Sequence, residues 1–168
     1  MTAACFVDAN VLVYACDPAD ARKFEVATNL IGRLWREQSG RISTQVLNEF
    51  YTVITRKVAK PVEREKAWHD VEELFEWNPM PIDAALLHGA RSIEVRYKLS
   101  WWDSLIVAAA QLQGCSILYT EDLQNGAVFG NVRVRNPFID QVQEEPPVPY
   151  APKVVSRHRP RGRPRKAA

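Results

Sequence analysis

Short apolar runs alternate along the chain with longer stretches in which apolar residues recur every three or four positions. The short runs at residues 4–7, 41–43 and 116–119 predict buried strands, and the alternating residues 132–136 predict a strand at the edge of a sheet. The helical periodicity predicts helices over residues 21–37, 44–58, 63–77, 83–97 and 100–113. Strands separated by helices indicate an α/β fold with a mostly parallel central sheet.

Two further expectations concern the surroundings of these elements. We expect the first strand to be central in the sheet and residues 11–16 to turn over its top. Trp101 and Trp102 begin the last helix. One of them could line a cleft and stack on a base, but we favour core packing for both, because a large indole buries well.

Acidic side chains stand where strands end and where helices begin. Asp8 follows the first strand, and Asp122 follows the strand at residues 116–119. Asp103 lies in the first turn of its helix, and Glu49 lies in the second turn of the helix that follows the strand at residues 41–43. Because the crevice of an open parallel sheet lies outside the carboxyl ends of its strands, these carboxylates are expected to face one cleft.

Each acid also has a local explanation. Asp8 can close a turn with its own backbone, and Asp122 can do the same after its strand. Asp103 can form a capping box with Ser100, and Glu49 can be a solvated helix residue. Together, however, they would repel, since two carboxylates at 4 Å cost about 4 kcal/mol at an effective dielectric constant of 20. A fold retains such a cluster with a bound cation or with raised pKa values.

No histidine or cysteine accompanies the four acids along the sequence. All-oxygen ligation suits Mg²⁺, with Mn²⁺ as a substitute, and disfavours zinc. Carboxylate-held Mg²⁺ takes further oxygens from a substrate phosphate. The sequence therefore predicts metal-assisted hydrolysis of a phosphodiester by an activated water molecule.

Charge divides the chain into an acidic body and a basic tail. All 20 acids precede residue 151, whereas seven of the 22 Lys and Arg residues follow residue 150, so residues 1–150 carry a net charge of −5. The Pro-rich residues 144–150 read as a linker. We therefore expect one domain over residues 1–140 and a linker with a disordered basic tail over residues 141–168.

Composition also bears on the compartment. The three cysteines form no zinc-binding pattern and suit a reducing environment. No apolar run is long enough to span a bilayer, and the first residues show no signal peptide. We expect a cytoplasmic protein that does not contact a membrane.

Four segments around the acids resemble the motifs of PIN-domain ribonucleases, specifically the VapC-type toxins of bacterial toxin–antitoxin pairs. They are FVDANVLVY with Asp8, STQVLNEFY with Glu49, SWWDSLIVAAA with Asp103, and LYTEDLQNG with Asp122, followed by NPF. The resemblance runs from residue 5 to about residue 139 and agrees in order, spacing and local sequence. It leaves the basic tail uncovered.

The resemblance implies a three-layer α/β/α PIN-like fold and a Mg²⁺-dependent endoribonuclease toxin. It also implies an RNA substrate, a homodimer and a cognate antitoxin. The implied catalytic and metal-binding residues are Asp8, Glu49, Asp103 and Asp122. Candidates to orient water or a carboxylate, or to contribute beside them, are Asn10, Thr44, Thr120 and Glu121. Because Glu121 adjoins Asp122, only one of the two should point into the cleft if the backbone is extended there.

The tail supports a second hypothesis. Residues 161–164, RGRP, resemble the core of an AT-hook, which would bring Arg161, Arg163 and Arg165 to an A·T minor groove of DNA. We favour the alternative, in which the tail binds RNA or DNA backbones without sequence preference. A non-catalytic nucleic-acid-binding regulator is thus the second function considered, although it has no reason to maintain repelling carboxylates. A phosphatase is the third, but Asn10 stands where its nucleophilic D-x-D pair needs an acid.

Overall fold

The structure, a computed structural model, describes residues 2–139 and Tyr150, and within them a five-stranded sheet is flanked by helices. The strands are β1 (Cys5–Val7), β2 (Gly40–Arg41), β3 (Ile117–Tyr119), β4 (Val128–Phe129) and β5 (Val132–Arg135). The helices are α1 (Ala9–Tyr14), α2 (Ala21–Glu37), α3 (Thr44–Arg56), α4 (Arg64–Leu74), α5 (Ala84–Tyr97) and α6 (Trp101–Leu112), and a 3₁₀ turn (Phe75–Trp77) extends α4. The predicted α/β class is confirmed.

The sheet has the strand order β2-β1-β3-β5-β4, and only β4 runs antiparallel to its neighbour. This confirms the mostly parallel sheet and the internal position of β1. Val7 pairs with Tyr119, so the residues that follow β1 and β3 leave the sheet side by side. The carboxyl ends of β2, β1 and β3 therefore lie along one edge, as the sequence pattern indicates.

Helix α6 is the most deeply buried helix of the described region. All seven of its residues 104–110 are buried, and four of them are small, which lets neighbouring backbones come close. A Cβ built on Gly89 of α5 would lie 3.6 Å from the Ala108 Cβ. Because α6 leads through Gly114 into the amino end of β3, its first turn lies toward the carboxyl edge of the sheet.

Two local predictions are wrong. Residues 132–136 do not form the edge strand, since β4 pairs with β5 on its outer side. The two-residue loop Gly130-Asn131 joins them, and Gly130 adopts φ +60°, as the first residue of a type II′ turn requires. Residues 11–16 do not simply turn either, because most of them belong to α1, which Asp8 caps.

The expected domain boundary at residue 140 and the tail arginines Arg161, Arg163 and Arg165 lie outside the described residues. Tyr150, at the end of the expected linker, is described and packs on the domain, with its ring 5.2 Å from that of Phe129. No helix among the described residues is long and apolar enough to cross a membrane.

Replacing Gly40 with Ala should destabilise the fold. A Cβ at this position in β2 would lie 2.5 Å from the Trp77 ring, which is buried and packs against Trp35. We expect a loss of about 1–3 kcal/mol in the free energy of unfolding, measured by urea denaturation. The matched variant Gly32→Ala, whose nearest atom is 3.4 Å away on α2, should be stabilised by about 0.5–1 kcal/mol. Equal midpoints for the two variants would contradict the close packing of Trp77.

Candidate active site

Asp8 is the buried centre of the candidate site. Its side chain is 7% exposed, directly after β1, and caps α1. One carboxylate oxygen accepts a hydrogen bond from the Ala9 amide at 2.7 Å, and the other accepts from the Thr120 hydroxyl at 2.8 Å and the Asn10 amide at 3.2 Å. Asp8 therefore does bond its own backbone, as the turn explanation predicts. It also accepts a hydrogen bond from Thr120, the residue directly after β3.

Asn10 connects this centre to the acidic loop after β3. Its Nδ2 lies 3.2 Å from Asp8, 3.2 Å from the Thr120 hydroxyl and 3.0 Å from the Asp122 carboxylate. Its Oδ1 accepts from the Glu121 amide at 3.4 Å. Thr120, completely buried, also accepts from the Asp122 amide at 3.1 Å. One amide thus brings Asp8 and Asp122 together, and two of the four predicted supporting residues, Asn10 and Thr120, contact the acids.

Glu49 approaches from α3 and is held by a buried glutamine. The Gln45 Nε2 donates to the Glu49 carboxylate at 3.0 Å and to the Trp102 carbonyl at 3.3 Å. This single side chain joins the second turn of α3 to the first turn of α6, where Asp103 lies. The sequence patterns did not single out Gln45. A glutamine on the apolar face of a helix, four residues before an acid, nevertheless indicates a side-chain hydrogen bond between the two.

Asp103 belongs to the helix cap as well as to the edge of the sheet. The Ser100 hydroxyl accepts from the Asp103 amide at 3.1 Å and lies 2.7 Å from its carboxylate. The capping-box explanation is therefore correct as far as it goes. One oxygen of the Asp103 carboxylate serves this cap, and the residue is half-buried beside Trp102.

Burial and neighbouring acids raise the pKa of Asp8 to about 7. Desolvation is the largest cause, the hydrogen bonds from Thr120 and Ala9 oppose it, and the charges of Asp122 and Glu49 add to it. Two of the other three predicted acids, Asp122 and Glu49, are therefore within electrostatic range of Asp8. The carboxylate cluster is thus unfavourable without a compensating positive charge.

Glu121 and Asp122 point to different partners. Glu121 accepts from Tyr14 of α1 at 2.9 Å and pairs with Lys23 of α2 at 2.6 Å, whereas Asp122 is exposed and bonded to Asn10. The hydrogen bond to Glu121 raises the pKa of Lys23 above its usual range. Only Asp122 therefore joins the network around Asp8, which fits the expectation that one of the two faces the cleft.

Two other expectations differ from the structure. Thr44 binds the Met80 carbonyl through its amide at 2.9 Å, and the cap of α3 is Ser43, so no hydrogen bond brings Thr44 to the acids. Trp101 is partly buried against the core, but Trp102 is 62% exposed. Consecutive residues of a helix face different directions, and only one of two adjacent indoles can face the core.

The donor set suits a hard cation. In the part of the chain that the structure describes, no three His, Cys, Asp or Glu side chains gather closely enough to hold one ion together. The side chains near Asp8 that carry possible ligand atoms, Asp122, Glu49 and Thr120, nevertheless offer oxygen, while Asn10 directs its amide nitrogen toward Asp8 and Asp122. Burial of Asp8 disfavours its anionic form, and a neighbouring cation would reverse that effect. The residues present therefore fit Mg²⁺ or Mn²⁺ by chemistry.

A mostly parallel α/β sheet with acidic side chains at its carboxyl edge is the architecture in which ligands commonly bind at this edge. The PIN domain family matches residues 5–127, and the chain belongs to this family. The family assigned from the motifs is thereby confirmed.

Solved structures share the fold. A toxin–antitoxin complex from Klebsiella pneumoniae is similar with 18% identity, a TM-score of 0.58, and coverage of 80% of this chain and 98% of that chain. VapC20 of Mycobacterium tuberculosis, a sarcin–ricin loop cleaving toxin, is similar with 21% identity, a TM-score of 0.53, and coverage of 71% and 92%. No curated protein matches the chain.

Removing the Thr120 hydroxyl should destabilise the metal-free protein. Thr120→Val keeps the shape of the side chain but takes the 2.8 Å donor from Asp8 and an acceptor from Asn10. An unsatisfied buried group costs about 1–3 kcal/mol, so we expect a loss of that size in urea unfolding with chelator present. Thr52→Val, on the exposed side of α3, is the control and should change stability by less than about 0.5 kcal/mol. A smaller loss at Thr120 than at Thr52 would refute the hydrogen bond to Asp8.

Proposed function

We propose that the chain is a Mg²⁺-dependent endoribonuclease, the toxin of a toxin–antitoxin pair, that hydrolyses RNA phosphodiester bonds with an activated water molecule. The observation that carries this proposal is the network in which Asn10 joins Asp8 to Asp122 at the carboxyl edge of the sheet. Glu49 and the first turn of α6 meet through Gln45 in the same region. Membership of the PIN domain family supports the assignment.

The side chains have distinct roles in this proposal. Asp8, Asp103 and Asp122 would hold the ion, and Glu49 would bind it directly or through water. The bound ion supplies a Lewis acid that activates water and neutralises charge on the phosphate. Asn10 and Thr120 fix the carboxylates of Asp8 and Asp122, so that little rearrangement accompanies the reaction. Ser100 and Gln45 do the same for Asp103 and Glu49.

The surroundings of the acids support RNA as the proposed substrate class. The exposed indole of Trp102 adjoins Asp103 and offers a surface on which an unpaired base can stack. Unpaired loops and ends of RNA present such bases. The similar VapC20 is described as cleaving the sarcin–ricin loop, and the Klebsiella pneumoniae structure is described as a toxin–antitoxin complex. These descriptions support RNA as the substrate and an antitoxin as a partner. A homodimer and a cytoplasmic location remain part of the proposal.

The regulator hypothesis explains less of the structure. A protein that only binds nucleic acid through its tail gains nothing from Asp8, whose burial and acidic neighbours raise its pKa to about 7. The tail is better placed as an accessory to a nuclease. It would supply the positive charge that an acidic body needs to attract RNA.

Asp103→Asn should abolish RNA cleavage and leave the protein folded. The amide keeps the shape and capping capacity of the side chain, but it removes a negative ligand from the ion. Loss of a single charge-stabilising group lowers kcat by about 100-fold or more. Cleavage is measured by sequencing the new 5′ ends in total bacterial RNA after incubation with purified protein and Mg²⁺.

Asp70→Asn on α4 is the matched control, since that aspartate pairs with Lys66 in the same helix and should not affect cleavage. Chelation of the ion should abolish cleavage by the unmodified protein, and added Mg²⁺ or Mn²⁺ should restore it. Full activity of Asp103→Asn, or undiminished cleavage with chelator, would overturn the proposed mechanism.

Truncation after Tyr150 should weaken RNA binding and flatten its salt dependence. The truncation removes seven basic residues and no acid, while it keeps the ring that packs on Phe129. Each phosphate contact on a single strand contributes about 0.7 to the slope of log K against log salt. A full-length chain with these seven residues replaced by serine separates the effect of charge from that of length. If both variants keep the original slope, the tail does not bind the RNA backbone.

A further inference from the structure

A second charged cluster lies next to the acidic site and takes no part in the proposed chemistry. The Lys23 ammonium group lies 2.6 Å from one Glu121 oxygen and 3.0 Å from the Tyr14 hydroxyl. The same hydroxyl donates to the other Glu121 oxygen at 2.9 Å. Both carboxylate oxygens of Glu121 are therefore occupied by side chains from α1 and α2.

Aromatic rings enclose this cluster. The Lys23 nitrogen lies 4.4 Å from the centroid of the Tyr14 ring and 5.2 Å from that of Phe138, and the two rings meet edge to face at 5.0 Å. The side chains of Lys23 and Glu121 are only 26% and 22% exposed. Partial removal from water and the neighbouring rings strengthen an ion pair relative to a solvated one. The cluster is therefore more than a transient surface contact.

The cluster is connected to the acids through the backbone of the loop after β3. The Glu121 amide donates to Asn10 Oδ1 at 3.4 Å, while Asn10 Nδ2 lies 3.0 Å from the Asp122 carboxylate. Glu121 is thus fixed at its side chain by Lys23 and at its amide by Asn10. Because both the side chain and the amide of Glu121 are held, the backbone has little freedom to move the next residue, Asp122. The position of Asp122 therefore depends on Lys23, the partner of the Glu121 side chain.

We propose that Lys23 is a positioning residue of the site: it neutralises Glu121 and holds it against α1 and α2, so that Asp122 alone of the two adjacent acids is presented to Asn10 and Asp8. The kinetic part of this inference rests on the proposed nuclease function. Without Lys23, the freed Glu121 carboxylate would compete with Asp122 for Asn10 and would displace the Asp122 carboxylate from its position beside Asp8. An ion pair that only stabilises the fold would have neither effect.

The test measures Mn²⁺ affinity by calorimetry and RNA cleavage as separate kcat and KM values, for Lys23→Ala, Glu121→Gln and the double variant. We expect Lys23→Ala to weaken Mn²⁺ binding about 10-fold and to lower kcat about 10-fold with a smaller change in KM, the scale of one lost electrostatic contact. In the Glu121→Gln background the same substitution should change neither quantity further, because no carboxylate remains to be released. Lys23→Arg, which can pair with Glu121, should restore both.

Lys66→Ala is the matched control, because it breaks the 2.9 Å pair with Asp70 on α4 and should leave Mn²⁺ affinity and kcat unchanged. The inference is overturned if Lys23→Ala lowers only the melting temperature, or if its effects add fully to those of Glu121→Gln. A protein that binds Mn²⁺ but cleaves no RNA would overturn the nuclease proposal alone. The Mn²⁺ affinities of the unmodified chain, the two single variants and the double variant would then still decide the role of Lys23.

Discussion

The site depends on one carboxylate that the fold buries at the end of the internal strand β1. Phe6 and Val7 are completely buried, and Asp8 follows them with 7% of its surface exposed. A buried carboxylate must find hydrogen-bond donors, and Asp8 finds them in the next helix and in the neighbouring strand. The parallel pairing of β1 with β3, extended by the 3.0 Å bond from the Asp8 amide to the Tyr119 carbonyl, brings Thr120 to its side. The hydrogen bond that satisfies Asp8 therefore also fixes Thr120, where the loop that carries Asp122 begins.

Local patterns in the sequence were sufficient for most of the framework. Apolar runs located β1 and β3, helical periodicity located α2 to α6, and the caps at Ser100 and Asp83 form as their residue types predict. Helix α1 and strand β4 were missed for physical reasons. Six residues after a strand contain too few turns to show a helical period, and a two-residue strand has no alternation to read.

The positions of the acids along the chain were predictable, but their partners were not. Motif spacing predicts Asp8, Glu49, Asp103 and Asp122 at one edge; in the structure Asn10 joins Asp8 to Asp122, and Gln45 joins Glu49 to the first turn of α6. Which of Glu121 and Asp122 faces Asn10 is decided by Lys23, and no periodicity relates residues separated by 98 positions in sequence. The exposure of Trp102 likewise depends on how α6 is rotated in the packed fold. Pairings of this kind exist only after the tertiary structure forms.

The four predicted site acids differ from other acids of the described region in the partners that hold them. Asp70 and Glu94 pair with basic residues one turn away on their own helices, and Glu121 pairs with Lys23. Within residues 2–139, by contrast, no Lys or Arg forms an ion pair with Asp8, Glu49, Asp103 or Asp122. These four instead receive hydrogen bonds from neutral groups, which fix orientation without cancelling charge. Capping and turn formation therefore do not compete with a catalytic role. A cap that holds Asp103 or Asp8 in one orientation supplies the preorganisation that a cation site requires, while leaving its negative charge available.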